Sequence, residues 1–571
     1  MINKKDVFSS MALRILAIVM TIACFYRIFL GVEITDEILA IAETDLLIQG
    51  ATPFVDNWLQ TPGFTIFIAG LIKLYKLVNK SYEGIFLFTR FMFLLYRILI
   101  TLVLCKMLKY LSISKNYRIA VYTIMIPIYF YVPNFHYNSI SNSLLLLSGI
   151  YLCWIYQNFE KRINHLTIVG GIYALCVYCH PSEFLPTLMT AILIIICPPP
   201  KKKSKCFYSL LRYASGGIIV AVSLSIWMIL RGKGINKLIF GLDSILNYNP
   251  YFMIPKDSLI QSIRSLLTYS APIAFIILFI YFLKIILNKL KIEVFPFFYD
   301  MIFFLMSLFF VLYAFQGIIL LSSLCIILLF YFVWRLSWFA KNKITLHLFY
   351  FICLPIIFST LSISFFSHGS IINRLLFMLP TIFIIIVTLS TWKLNENIKS
   401  LSLFIITLLF SCIVLKSNYT YIYRDSPIIE LKSKIHSGIY EGIYTTESRK
   451  QTLMLFEAYL SDSFTENDHV LFMETTPFAY LMTDAKACTP STWDISLYSY
   501  NFNDDSLYQR YFETTNTIPD YIMYIDTGRD AMLSINKDNY NFTQYVKSNY
   551  ILLENKTLGD WQVICYKRSN A

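Results

Sequence analysis

Up to about Lys416, apolar runs of roughly 17–22 residues alternate with short polar connections, and beyond that point no run of that length recurs. A run of about 20 apolar residues, at 1.5 Å rise each, matches a hydrocarbon core ~30 Å thick, so the pattern predicts membrane-spanning helices. Thirteen are expected, at 12–30, 84–105, 119–133, 139–156, 166–179, 183–197, 213–230, 266–283, 297–313, 317–334, 346–366, 375–391 and 400–416. The first reads as a signal anchor that stays on the chain, because it is long, Arg27 interrupts its far end and no small-x-small cleavage pattern follows. Past 416 the period changes. Strand-like runs appear at 470–473, 521–525, 550–553 and 561–566, with a helical pattern at 447–460 among them. The expected organisation is a transmembrane part over 1–416, with a first outer loop at 31–82, and a small soluble α/β domain over 417–571.

Composition agrees with the pattern. Of 571 residues, 57% are hydrophobic and 15% charged, where a soluble protein carries about a quarter charged. With 19 Gly and 19 Pro, disorder and collagen-like repeats are excluded. The net charge of +13 raises nucleic acid as a partner, but the charges are distributed by topology. If the N-terminus is cytoplasmic, the inside connections carry 22 Lys and Arg against four acids, and the outside connections before Lys416 carry nine basic residues. By the positive-inside rule this fixes the orientation, and Lys201, Lys202 and Lys203 become a topology signal. No DNA-binding motif accompanies them, so no nucleic-acid partner is expected. Thirteen spans then put 417–571 outside, where 20 Asp and Glu face 13 Lys and Arg. Ten of the twelve cysteines lie in the membrane part, where Cys176 and Cys179 suit packing better than redox chemistry, and no His/Cys group has zinc spacing. Cys488 and Cys565 in the tail are two thiols whose pairing the sequence leaves open.

The chemistry concentrates after the first span. Residues 31–75 read GVEITDEILAIAETDLLIQGATPFVDNWLQTPGFTIFIAGLIKLY and gather Glu33, Asp36, Glu37, Glu43, Asp45 and Asp56 on an outside loop. The segment 37–48 is amphipathic at helical period, Gly50 ends it, and Pro53 and Pro62 punctuate the turn that follows. A second amphipathic stretch, 64–78, suits the membrane interface.

An Asp-Glu pair just beyond the first span, followed by a helix, Gly, Pro, Asp, an aromatic and Pro, resembles the first outer loop of the GT-C glycosyltransferases. The likeness is to the protein O-mannosyltransferases and the lipid A aminoarabinose transferases (glycosyltransferase family 39-like), and it extends to the span count and the outer C-terminal domain. It implies a GT-C fold and an inverting transfer of a hexose or pentose from a polyprenyl-phosphate donor to a lipid, glycan or protein acceptor. The setting it implies is the outer, periplasmic face of a bacterial inner membrane. The first acid of the pair then falls on Asp36 as catalytic base, with Glu37 beside it. The leaving phosphate departs as an anion and requires no general acid. The requirement is one carboxylate to take the acceptor's proton and cations around the phosphate. The same two acids also suit plain capping of a helix beginning near Ile38.

A second match is SHGSIINRLLFMLP at 367–380, which resembles the transferases' segment of Arg, a short apolar run and Pro; it places Arg374 at the donor phosphate, where its planar fork gives two parallel bonds, or at the interface as a snorkelling anchor. Further donor-site candidates are His180, which equally suits a plain interfacial position, and Arg90 near the outer end of the second span; Arg97 suits a structural pairing. His136 occupies a loop where relatives often carry another acid. Where the aminoarabinose transferases carry Glu-Lys-Pro-Pro, with a Glu able to bind a metal, this chain has Gln60, Thr61, Pro62 and Gly63. Asp56 is the nearest acid to stand in, and the sequence supports no metal or other cofactor. Two other classes fit many spans, an O-antigen polymerase or ligase and a lipid-linked saccharide flippase or transporter. The short late outer loops argue against the first and the acidic helical loop against the second.

Overall fold

The computed structural model describes residues 4–127, 132–197, 205–232, 234–248, 256–292, 298–299, 302–303, 305–306, 343–366, 396–420, 422–493, 506–528 and 541–569. The first twelve helices are α1 Lys4–Arg27, α2 Asp36–Gln49, α3 Gly63–Asn79, α4 Ile85–Tyr110, α5 Lys115–Met125, α6 Tyr137–Gln157, α7 Phe159–Arg162, α8 Leu166–Cys179, α9 Phe184–Ile196, α10 Cys206–Arg231, α11 Ile235–Tyr248 and α12 Lys256–Lys289. Among the described residues, five helices are long and apolar enough to cross a membrane: Ser10–Arg27, Ile85–Tyr110, Tyr137–Gln157, Cys206–Arg231 and Lys399–Thr420. Two shorter apolar helices, Pro181–Ile196 and Leu346–Ser362, run among them. The chain is thus a helical protein with membrane-spanning character. The expected spans at 317–334 and 375–391, and most of 297–313, lie outside the described residues.

Close helix packing here depends on small residues, which let backbones approach where no aqueous hydrophobic drive exists. A Cβ on Gly170 of α8 would sit 1.8 Å from the Tyr213 carbonyl of α10, and one on Gly216 of α10 would sit 1.7 Å from the Thr167 carbonyl of α8. The two helices therefore touch backbone to backbone.

After the helix Glu396–Thr420, the chain forms a small antiparallel pair, β1 Ser433–Lys434 with β2 Tyr444–Thr445, and then a mixed sheet. The sheet comprises β3 His469–Met473, β4 Lys486–Ala487, β5 Tyr521–Asp526, β6 Tyr550–Leu558 and β7 Trp561–Arg568, in the order β4-β3-β5-β7-β6. β3 runs parallel to β4 and β5, and β7 antiparallel to β5 and β6. Helix Glu447–Ser463 contributes Phe456 to an aromatic cluster with Phe478 and Trp561, with ring centroids 5.1–5.5 Å apart. Cys488 and Cys565 are both free thiols and both buried.

The sheet region packs directly against the first loop. α2 lies on the 3-10 turn Pro477–Leu481, and Trp58 donates its amide to the Pro490 carbonyl at 2.6 Å. This changes the character of α2. The 37–48 pattern reads as amphipathic, yet every residue from Glu37 to Leu47 is buried, acids included. α3 and α4 cover one side of the helix and residues 477–492 the other, so no face remains for solvent. α3 behaves differently: Phe64, Ile68 and Ile72 are buried, while Leu74, Leu77 and Val78 are exposed.

Candidate functional site

The site is built around the start of α2. Thr35 is its N-cap but makes no side-chain capping bond. The opening amide groups of a helix need acceptors, and Glu33 supplies them. Its Oε1 accepts from the Thr35 amide at 3.0 Å and from the Thr35 hydroxyl, and its Oε2 accepts from the Glu37 amide at 2.6 Å. Burial, with Asp36 close by, pushes the Glu33 carboxyl from its ordinary 4.5 up to about 8, against the pull of Arg424 and Thr35. Gly50, at φ +124°, ends the helix and returns amides to the Leu46 and Leu47 carbonyls.

Because Glu33 caps the helix, Asp36 is released from that role. Its side chain is 23% exposed, the most open of the first-turn acids. Its Oδ2 accepts the Tyr423 hydroxyl at 2.8 Å and lies 3.9 Å from Arg424 Nη2. Arg424 also sits 3.8 Å from Glu33 Oε1 and bonds the Thr35 hydroxyl. Burial and the Asp36 carboxylate hold the Tyr423 phenol well above its usual range, so it remains a donor.

Glu37 points the other way. It forms a two-pronged pair with Arg90, Nε to Oε2 at 2.7 Å and Nη2 to Oε1 at 3.0 Å, with exposures of 0% and 1%. Arg90 Nη1 also donates to the Ile28 and Leu30 carbonyls at 3.0 Å each, and its guanidinium lies 4.3 Å from the Phe86 ring centre. Arg90 and Glu37 thus hold each other and the end of α1 together beneath Asp36. Arg97 makes a separate structural set, donating to the Met125 carbonyl and, at 3.4 Å, to Ser143.

The two candidate histidines come together. Asn134 Nδ2 donates to the Glu37 carbonyl at 2.7 Å, which ties the loop before α6 to the first turn of α2. His136 caps α6, and the Tyr137 ring lies 3.8 Å from His136 and 5.2 Å from His180. His180 shares a 2.5 Å bond with Ser182. Asp56 is placed elsewhere. Its neighbour Asn57 bonds Glu43, two turns along α2 from Asp36 and so about 10 Å away. Arg374 lies outside the described residues.

Sequence reasoning missed the residues contributed from far along the chain. Tyr423 and Arg424 follow the last apolar helix directly, and the only available signal is an aromatic-basic-acidic triple at a span end. Asp425 accepts from the Val32 amide at 2.7 Å and the Thr445 hydroxyl at 2.8 Å, and Tyr444 bridges Leu30, so residues 422–445 stitch down the loop before α2. Glu43, fully buried, accepts from the Ser491 hydroxyl at 2.7 Å and from the Thr492 amide and hydroxyl at 2.6 and 2.8 Å. Burial raises its carboxyl, and the bonds from Ser491, Asn57 and Thr492 oppose that.

Among the described residues, no group of three or more His, Cys, Asp or Glu is arranged to hold a metal ion. No known family model matches the chain. A search of curated proteins finds no match.

Proposed function

We propose that the protein is an integral-membrane inverting glycosyltransferase that moves a sugar from a polyprenyl-phosphate donor to a lipid, glycan or protein acceptor on the outer side of the membrane. The observation that carries this reading is the state of Asp36. It is an accessible carboxylate at the mouth of a buried acid-rich turn, relieved of capping by Glu33 and anchored through one oxygen only. Among the described residues no hydrogen bond falls on its Oδ1.

In the reaction, Oδ1 takes the proton of the acceptor hydroxyl as its oxygen bonds to the anomeric carbon. The anomeric carbon–oxygen bond to phosphate breaks on the opposite face, and polyprenyl phosphate leaves with the electron pair. One base on one face implies inversion, by analogy with inverting glycosidases. The base needs an orienting contact and partial access, and Asp36 has both. His136, Tyr137 and His180 offer a polar aromatic wall beside the same turn, suited to sugar and phosphate contacts, and Arg374 remains the proposed phosphate ligand. The thirteen-span arrangement with an outer α/β domain belongs to this reading, which draws support from the five apolar helices and the charge asymmetry of the loops.

Asp36→Asn tests it. Asn preserves shape and removes basicity, and general-base catalysis contributes about 10²–10⁴-fold. Normal folding with transfer from a polyprenyl-phosphate sugar reduced at least ~100-fold is expected. Near-normal transfer would remove Asp36 as the base.

A further inference from the structure

We propose that Tyr423 and Arg424, in the linker after helix Glu396–Thr420, are positioning residues of the Asp36 centre, fixing one carboxylate oxygen and thereby presenting the other to the acceptor. This rests on the glycosyl-transfer reading of Asp36. Three observations converge. Both residues meet the same oxygen, Oδ2, at 2.8 and 3.9 Å, so the carboxylate is held from one side. Arg424 reaches across to Glu33 at 3.8 Å and bonds Thr35, which places one positive charge between two acids at the start of α2. The linker itself is fixed, since the Ile422 amide donates to the Ser426 carbonyl at 3.1 Å and Asp425 bonds Val32 and Thr445. A tethered Tyr-Arg pair can orient a base, whereas a loose one cannot.

Position also separates this pair from a donor-phosphate site. In an inverting displacement the leaving phosphate and the base lie on opposite faces of the sugar. A cation 3.9 Å from the base belongs to the acceptor side. Arg424 therefore acts on the proton-accepting carboxylate and not on the departing phosphate.

The chemistry predicts a change that a merely structural role would not produce, because a misaimed base slows the chemical step without loosening the donor. The test uses the full-length protein in detergent, with transfer from a polyprenyl-phosphate sugar measured across donor concentration. Tyr423→Phe keeps the ring and loses the hydroxyl, so kcat should fall by up to about 10²-fold while the donor KM stays near the wild-type value. Arg424→Gln should behave likewise, and Arg424→Lys should restore part of kcat, because Lys keeps the charge without the fork. Wild-type kcat in both Tyr423→Phe and Arg424→Gln, in proteins that remain monodisperse, would overturn the proposal.

The Asp36→Asn variant separates the two claims. A collapse of transfer in Asp36→Asn with wild-type kcat in Tyr423→Phe and Arg424→Gln would sink the positioning role alone. Transfer unaffected by Asp36→Asn would sink the transferase reading, and the positioning role in catalysis with it. The expected result is a loss of transfer in all three, with kcat lowered at an unchanged donor KM in Tyr423→Phe and Arg424→Gln.

Discussion

The buried Glu37–Arg90 pair gives a sharp test, because the structure predicts that a double substitution is more stable than one of its singles. Arg90→Met removes two bonds to Glu37 and the donors to the Ile28 and Leu30 carbonyls. Leu30 keeps the Arg27 donor at 2.6 Å, so the main losses are the counter-charge of Glu37 and one donor to Ile28. Leaving a buried carboxylate without its partner costs about 3–5 kcal/mol, and an unsatisfied carbonyl adds about 1 kcal/mol. The sum is comparable with the total stability of many domains, about 5–15 kcal/mol. Adding Glu37→Gln removes the stranded charge while keeping an acceptor for what remains, and should recover about 2 kcal/mol or more. Unfolding in mixed micelles titrated with sodium dodecyl sulfate, followed by tryptophan fluorescence, reads the order of midpoints. The expected order is wild type, then the double variant, then Arg90→Met. A double variant at or below Arg90→Met would refute the claim that Glu37 and Arg90 hold each other.

Three further outcomes follow from the packing and the acids. Glu43→Ala strands the donors of Ser491, Thr492 and Asn57, so it should destabilise the protein by about 2–4 kcal/mol and expose residues 488–493 to protease; wild-type protease resistance would count against the clamp. Gly216→Ala should lower the thermal midpoint by an amount corresponding to about 1–3 kcal/mol of overpacking, while Gly217→Ala, whose Cβ meets nothing closer than 3.7 Å, serves as the near-silent control; equal effects would contradict the backbone contact of α8 and α10. Glu33 keeps its proton in the fold up to about pH 8 and loses it near its ordinary 4.5 when unfolded, so its contribution is full below 4.5 and falls as pH rises towards 8. Thermal midpoints measured from pH 5 to 8 should fall more steeply in wild type than in Glu33→Gln, and parallel slopes would show that Glu33 does not titrate in this window.

Local features were legible in the sequence wherever one segment decides them. The acids at 36 and 37 open α2 and Gly50 closes it, while the 64–78 pattern lies within α3 and the runs at 470–473 and 561–566 lie within β3 and β7. These rest on period, capping and backbone freedom, all of which act over a few residues. The partners of those elements were not legible. Glu33 reads as one acid among six until its carboxylate is seen on the Thr35 and Glu37 amides. Tyr423 is 387 positions from Asp36, and Ser491 is 448 from Glu43. Arg90 reads as a donor-site candidate near the outer end of a span, and only the crossing of α4 with the first turn of α2 pairs it, fully buried, with Glu37. The full burial of α2 was hidden for the same reason, since its second cover comes from residues 477–492.

The stitching of residues 29–36 to 422–445 has a consequence for biogenesis. At about 5–20 residues per second, Tyr423 emerges from the ribosome roughly 20–80 s after Asp36. Throughout that interval Asp36 lacks Tyr423 and Arg424, and Glu43 has Asn57 but neither Ser491 nor Thr492, while α1 and α4 are already available to insert. The loop carrying the proposed base is therefore among the earliest segments translated and the last to mature. A premature stop anywhere before residue 422 yields a chain that can enter the membrane yet never close this turn, which makes its exposed acids a natural mark for quality-control proteases.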